Sequence, residues 1–255
     1  MLAVQPVRLR SGAGRSEIPS ISDRYPIHGS TPSKGRRGSR DYALHVIAAF
    51  YFDLNSPLAY LAAERVLQTM PVATEWQPVL ARELAHAESF QTFRCRKEGE
   101  IFRSEVELRA AALGLQPVRW PSPFPFDSAI AMRVATYAKS IGRGVAFAQA
   151  AFRQAFAGGR SLAEIDNVLI AASACEMHPS AVLKAIEMAS VQEQLSAATA
   201  RAAGSGVRDV PSVRVEERVF HGERALEEAA ACARAPNAVA EPGAAAANVS
   251  AERSL

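Results

Sequence analysis

Strand-like sequence occurs in two separated regions of this chain, residues 44–79 and 210–221, and almost nowhere between them. Leu44 to Phe52 is nearly continuously apolar, as in a strand covered on both faces. Val72 to Val79 reads as a second strand centred on Trp76. Val210–Val215 and Arg218–His221 alternate like a hairpin with Glu216-Glu217 at its turn. From Leu80 to about Ala203, β-branched runs nearly vanish and Ala, Glu, Arg, Gln and Leu dominate. The order is therefore strand, helix, strand, a long helical block, then a hairpin and a helix. That order predicts an α/β fold with an all-helical insertion between its halves.

The local grammar fills in this outline. Pro57 to Met70 carries Leu58, Leu61, Ala62, Val66 and Leu67 along one side, predicting a helix that Pro71 ends. Its position between the first two strands suits a βαβ crossover. Six more helices are expected at about Ile101–Leu113, Ser128–Ile141, Arg143–Ala157, Ser161–Ala174, Pro179–Met188 and Val191–Ala203. Gly114, the Pro121–Pro125 stretch, Gly142, Gly158-Gly159, His178-Pro179 and Gly204 separate them. A last helix runs from Glu223 to about Ala233. The expected organisation is residues 42–80 plus 204–233 as the sheet-bearing domain, with 81–203 as the helical insertion.

The ends are different. Residues 1–41 are rich in Arg, Ser, Gly and Pro without a sustained period, and the tail from 234 to 255 is Ala-rich with Pro236, Pro242 and Gly243. Both are expected to be disordered. The first segment is compatible with a transit peptide or an over-early start. Its eight basic residues leave the remainder slightly acidic, which argues against a nucleic-acid-binding face. No apolar run is long enough to cross a bilayer. Cys95, Cys175 and Cys232 lie far apart with no metal-like spacing, so no metal site is expected. A cytoplasmic location is the simplest expectation.

The junction between the first strand and its helix carries the chemistry. Only Asp53 and Leu54 separate the apolar run from Asn55-Ser56-Pro57. Ser is a preferred N-cap, and Pro suits the first helical position, where its missing N–H costs nothing. The unpaired N–H groups and positive dipole end beside Ser56 suit an anion such as a thiolate or carboxylate. An ordinary capped helix explains the same residues.

Three stretches in order widen the reading: Phe50–Leu61, with F-Y-F-D-x-x-S-P-x-A-Y-L; Phe124–Ser128, with F-P-F-D-S; and V-P-S-V at Val210–Val213 followed by F-H-G-E-R-A-L. Together they resemble 2-hydroxychromene-2-carboxylate isomerases, relatives of kappa-class glutathione transferases and Dsb-type oxidoreductases. The resemblance covers roughly Val46 to Ala231 and implies a thioredoxin-like fold. It implies glutathione as cofactor and an aromatic small molecule as substrate, isomerised cis to trans by reversible thiol addition to a conjugated carbon. Ser56 takes the place of the first redox cysteine and is the implied catalytic residue, donating a hydrogen bond to the thiolate. Val210 and a cis Pro211 are implied to face it and to meet the peptide-like ligand in strand fashion. With Ser56 and Ala59 at the two positions, dithiol exchange is ruled out there.

Two implied ligand contacts depart from the family pattern. Asp127 stands where relatives commonly have Asn, and it reads equally as the cap of the following helix. The acid suited to the γ-glutamyl amine is shifted by one position to Glu223. Arg94, Arg96 or Lys97 are candidates for a substrate carboxylate, although a solvated face accounts for them. His221 and Trp76 read as hairpin and packing residues. A kappa-type transferase and a non-catalytic binding module are the rival readings, and a homodimer is allowed.

Overall fold

The computed structural model describes residues 47–86, 95–222 and 224–235. The expected extension, the tail beyond Ala235, residues 44–46 of the first expected strand, Arg94 and Glu223 lie outside the described residues.

Strand β1 (Ala48–Phe52) is buried at every position, as its unbroken apolar run requires. It leads through Asp53–Ser56 into α1 (Pro57–Ala63) and α2 (Val66–Thr69), and then into β2 (Thr74–Pro78). The single helix expected over Pro57–Met70 is therefore two. At the joint the hydrogen bonding shifts to the tighter i→i−3 pattern, with the Arg65 N–H donating to the Ala62 carbonyl at 2.9 Å. Glu64 pairs there with Arg153 at 2.7 Å and Arg65 with Glu227 at 2.6 Å. Both partners are distant in sequence, so a local pattern does not reveal the break.

Six helices follow among the described residues: α3 (Arg96–Ala112), α4 (Ala129–Ser140), α5 (Gly144–Phe156), α6 (Ile165–Ser173), α7 (Pro179–Glu187) and α8 (Ala189–Gly204). The chain then returns to the sheet as β3 (Ser212–Val215), β4 (Arg218–His221) and α9 (Ala225–Arg234). The sheet order is β2-β1-β3-β4; β1 is parallel to β2 and antiparallel to β3, and β3 is antiparallel to β4. This is the thioredoxin-like layout, with the helices between its halves.

Successive β1 residues face opposite sides of the sheet. Phe50 and Phe52 join the larger core: Phe50 meets Trp76 at 5.1 Å, and Phe52 meets Phe152 of α5 at 5.8 Å. Tyr60 of α1 stacks on Phe156 of α5 at 5.6 Å. These rings bind the helical block to the first strand and its helix, and one core runs through both. Ala49 and Tyr51 face the other side, in a smaller cluster with Ala202, Val207 and Val210. Among the described residues, no helix is long and apolar enough to cross a membrane.

Candidate functional site

The β1–α1 turn is built on a buried carboxylate. Asp53 is 2% exposed, and its two oxygens accept from the Asn55 N–H at 3.0 Å and the Ala81 N–H at 2.9 Å. Burial pushes the Asp53 carboxyl above its ordinary value; hydrogen bonds from Ser128, Asn55 and Ala81 and the charge of Arg82 oppose it. The Asp53 carbonyl accepts from the Ser56 N–H at 3.0 Å. The Asn55 side chain accepts from the Phe126 N–H at 3.2 Å. One acid thus ties together the strand end, the head of α1, the turn after β2 and the start of α4. Asp53 is a site-building residue that sequence reading passed over as a spacer. Its signal was an acid at the end of an otherwise apolar strand.

Ser56 caps α1, its Oγ accepting from the Ala59 N–H at 3.1 Å with Pro57 at the first helical position. Its hydroxyl hydrogen is left to donate elsewhere. Ser56 is 1% exposed, and the adjoining cleft begins two residues later, at Leu58.

That cleft measures about 440 Å³. Leu58, Leu61 and Ala62 of α1 form one wall, and Pro211 and Val213 lie along β3. Arg109 and Leu113 come from the end of α3, with Arg224, Leu226 and Glu227 at the start of α9. The Val210–Pro211 peptide is cis. The fold therefore brings the first turns of α1 and the cis-proline together at one cleft. The Val210 side chain packs on the other side of the sheet, and its N–H donates to Asp209 Oδ1 at 2.7 Å.

Glu227 is the acid the cleft contains among the described residues. One of its oxygens is paired with Arg65, while Oε2 is shielded from solvent and has no hydrogen-bond partner among the described residues. A shielded carboxylate oxygen without a donor is costly unless a ligand supplies one. Glu223, the acid expected from the sequence, lies outside the described residues, and Glu227 is found only through the placement of α9 beside Arg65.

The remaining candidates fall elsewhere. Asp127 is exposed, accepts from the Ala129 N–H at 2.9 Å and pairs with Arg82 at 3.0 Å, so it caps α4 and does not line the cleft. Arg96 is 94% exposed and pairs with Glu100 along its own helix. Lys97 is exposed as well. Trp76 packs against Phe50 and Phe52. The three cysteines are free.

His221 does more than close the hairpin. It stands opposite Ser212 across β3 and β4, with its Nδ1 2.8 Å from Ser212 Oγ. The Ser212 hydroxyl donates to the Asp209 carbonyl at 2.6 Å, so His221 Nδ1–H is the donor to Ser212. The pair braces the loop that carries Pro211. Burial, then the charges of Arg208 and His86, push the imidazole below 6.5, with Asp209 opposing. Below pH 6.5 the unfolded chain gains a proton that the native state resists, so this group makes stability fall on acidification through that window. Melting temperatures measured from pH 7 downward should fall less steeply in His221→Gln than in the unsubstituted protein; parallel curves would show that the imidazole does not titrate against the fold.

A family model described as the DSBA-like thioredoxin domain matches residues 48–231. Among solved structures, the chain is similar to a 2-hydroxychromene-2-carboxylate isomerase at 17% identity and TM-score 0.65, over 74% of this chain and 95% of that one. It is similar to a probable DsbA oxidoreductase from Streptomyces coelicolor at 18% identity and TM-score 0.63, over 78% and 93%. It is also similar to the cytosolic disulfide reductase DsbM from Pseudomonas aeruginosa, in a structure with GSH, at 13% identity and TM-score 0.53, over 74% and 98%. No curated protein matches it in sequence.

Proposed function

This chain belongs to the DSBA-like thioredoxin domain family, and from that premise we propose that it is a glutathione-dependent isomerase of 2-hydroxychromene-2-carboxylate-like aromatic substrates. The observation that carries the reading is the Ser56-Pro57-Leu58-Ala59 sequence at the head of α1. Disulfide exchange needs a thiol there, and this chain has a hydroxyl and a methyl in its place. A capped helix N-terminus beside a cleft instead suits a thiol brought by the ligand.

The cleft residues fit glutathione. Its volume of about 440 Å³ lies within the roughly 300–1,000 Å³ usual for small-molecule sites. Arg109 and Arg224 supply positive charge for carboxylates, and the Glu227 Oε2 supplies an acceptor for an ammonium. The Val210 N–H is engaged by Asp209, which leaves the Val210 carbonyl for strand-like pairing. When bound, glutathione supplies a nucleophilic sulfur that adds reversibly to a conjugated carbon. The residues around it orient the ligand and favour the ionised sulfur: the α1 N-terminus through its dipole, and Ser56 through its hydroxyl hydrogen.

The burial of Ser56 and the occupied Val210 N–H favour a second reading, a thioredoxin-like binding module without catalysis. Calorimetric titration with glutathione, followed by assay of hydroxychromene-carboxylate isomerisation, separates the two. Binding with turnover supports the enzyme, binding without turnover supports the module, and no binding removes the glutathione-dependent enzyme.

Glu227 gives this reading a residue-level test. Glu227→Gln should weaken glutathione about fivefold to tenfold, the discounted worth of a part-exposed charge-assisted hydrogen bond. Glutathione lacking its γ-glutamyl amine should bind the unsubstituted protein more weakly by the same factor and lose nothing further in Glu227→Gln. If both losses add in full, Glu227 does not meet the amine.

A further inference from the structure

The other face of the sheet holds a second cavity, of about 410 Å³. Helix α8 packs over this face, where large apolar side chains would ordinarily fill the space. Here the contact positions are small: Ala49 on β1, with Ala198 and Ala202 on α8. The space they leave is lined by charge. Arg214 projects from β3, Arg201 from α8, and Lys139 from the end of α4.

These cations differ in how they are committed. Lys139 Nζ lies 2.5 Å from Glu75 Oε1 and also contacts the Gln77 side chain, so Glu75, the one acid in the lining among the described residues, is neutralised within the cavity. Arg214 donates through Nε to the Tyr51 hydroxyl at 3.1 Å and through Nη1 to the Glu216 carbonyl at 3.2 Å. Those bonds fix its guanidinium and leave the second terminal nitrogen directed elsewhere. Tyr51 accepts in that bond and keeps its own O–H to donate. Arg201 has no side-chain partner among the described residues. The cavity thus keeps two uncompensated positive charges on different elements, and a hydroxyl donor.

We propose that this cavity is a binding site for a small phosphate monoester, separate from the cleft at α1. A carboxylate is planar and is satisfied by one guanidinium fork. A tetrahedral phosphoryl group has three terminal oxygens and takes donors from several directions. Arg201 on the wall, Arg214 on the floor and the Tyr51 O–H form such a set, and the net charge matches a dianion.

The test is calorimetric titration of the full chain with inorganic phosphate, phenyl phosphate and benzoate at fixed ionic strength. Saturable phosphate and phenyl phosphate binding is expected, at least tenfold tighter than benzoate. Arg201→Gln should weaken phosphate at least tenfold, and Arg201→Glu should abolish it. Arg201 is exposed, and among the described residues its side chain makes no hydrogen bond or ion pair. Arg160→Gln, which removes an equal charge at a residue outside the cavity lining, should leave binding unchanged. Glutathione should not compete. Absence of saturable phosphate binding overturns the proposal, as does benzoate bound equally well or equal weakening by Arg160→Gln. Competition by glutathione would place the bound phosphate in the α1 cleft and would equally overturn it. None of these outcomes bears on whether the α1 cleft is catalytic.

Discussion

Asp53→Ala should cost the protein about 3–5 kcal/mol of stability, the scale of breaking a buried charged hydrogen-bond set. The Asn55 and Ala81 N–H groups both donate to this carboxylate, and both would be left without an acceptor in a turn buried from water. Asp53→Asn should recover little, because an amide has one acceptor oxygen, and its NH₂ would face one of the two N–H donors. Urea unfolding followed by circular dichroism measures the difference. A loss below about 1 kcal/mol would mean that the stranded donors find water or shift to other acceptors. The pH dependence offers a second check. Burial raises the native pKa of Asp53 above 3.8, so just above that pH the native state holds a proton that the unfolded chain has released. This group therefore stabilises the fold more at the acidic end of the window, and its contribution declines as pH rises. Asp53→Ala should remove that slope while lowering stability throughout.

Ser56→Ala carries the largest expected effect on activity. The substitution removes the cap to the Ala59 N–H, worth about 1 kcal/mol, and leaves Pro57 and the helix dipole in place. The protein should still fold. The hydroxyl donor would be lost as well, and a hydrogen bond to a charged group is worth about 1.5–3 kcal/mol, or roughly one to two pKa units. The thiol pKa of bound glutathione should rise by about that much, and the isomerisation rate near neutral pH should fall about tenfold or more. Glutathione affinity should change little, because the contacts proposed for Arg109, Arg224 and Glu227 are untouched. Thiolate absorbance of bound glutathione, titrated in both proteins, reads this directly. Equal pKa values would confine Ser56 to capping α1, the role its bond from the Ala59 N–H shows, and would favour the binding module.

Much of the helical block was legible because each helix carries a stripe of small and apolar residues with glycine or proline at its ends. Helices α4, α5 and α7 begin and end within a residue or so of where periodicity puts them. Helix α3 begins several residues earlier than expected, at Arg96, because Arg96 to Glu100 is polar and carries no apolar stripe to read. The joint between α1 and α2 carries no glycine or proline, and its residues Glu64 and Arg65 pair instead with Arg153 and Glu227, far along the chain.

The site divides in the same way. Ser56-Pro57 is a local motif, since a cap and a first-turn proline act within one helical turn, and the chain alone specifies it. The place of Pro211 at the end of the first returning strand is also a local matter of strand grammar. The sequence likewise determines that no dithiol can form at the head of α1, because residue identity there decides the chemistry. Tertiary structure alone decided which acid enters the cleft. The packing of α9 against Arg65 brings in Glu227, which no motif in the sequence marks. It also decided that Asp127 spends its carboxylate on Ala129 and Arg82, and that Asp53 holds four segments together. Each of these depends on which distant groups come within hydrogen-bonding distance, and that distance is set by how the layers pack rather than by any spacing along the chain.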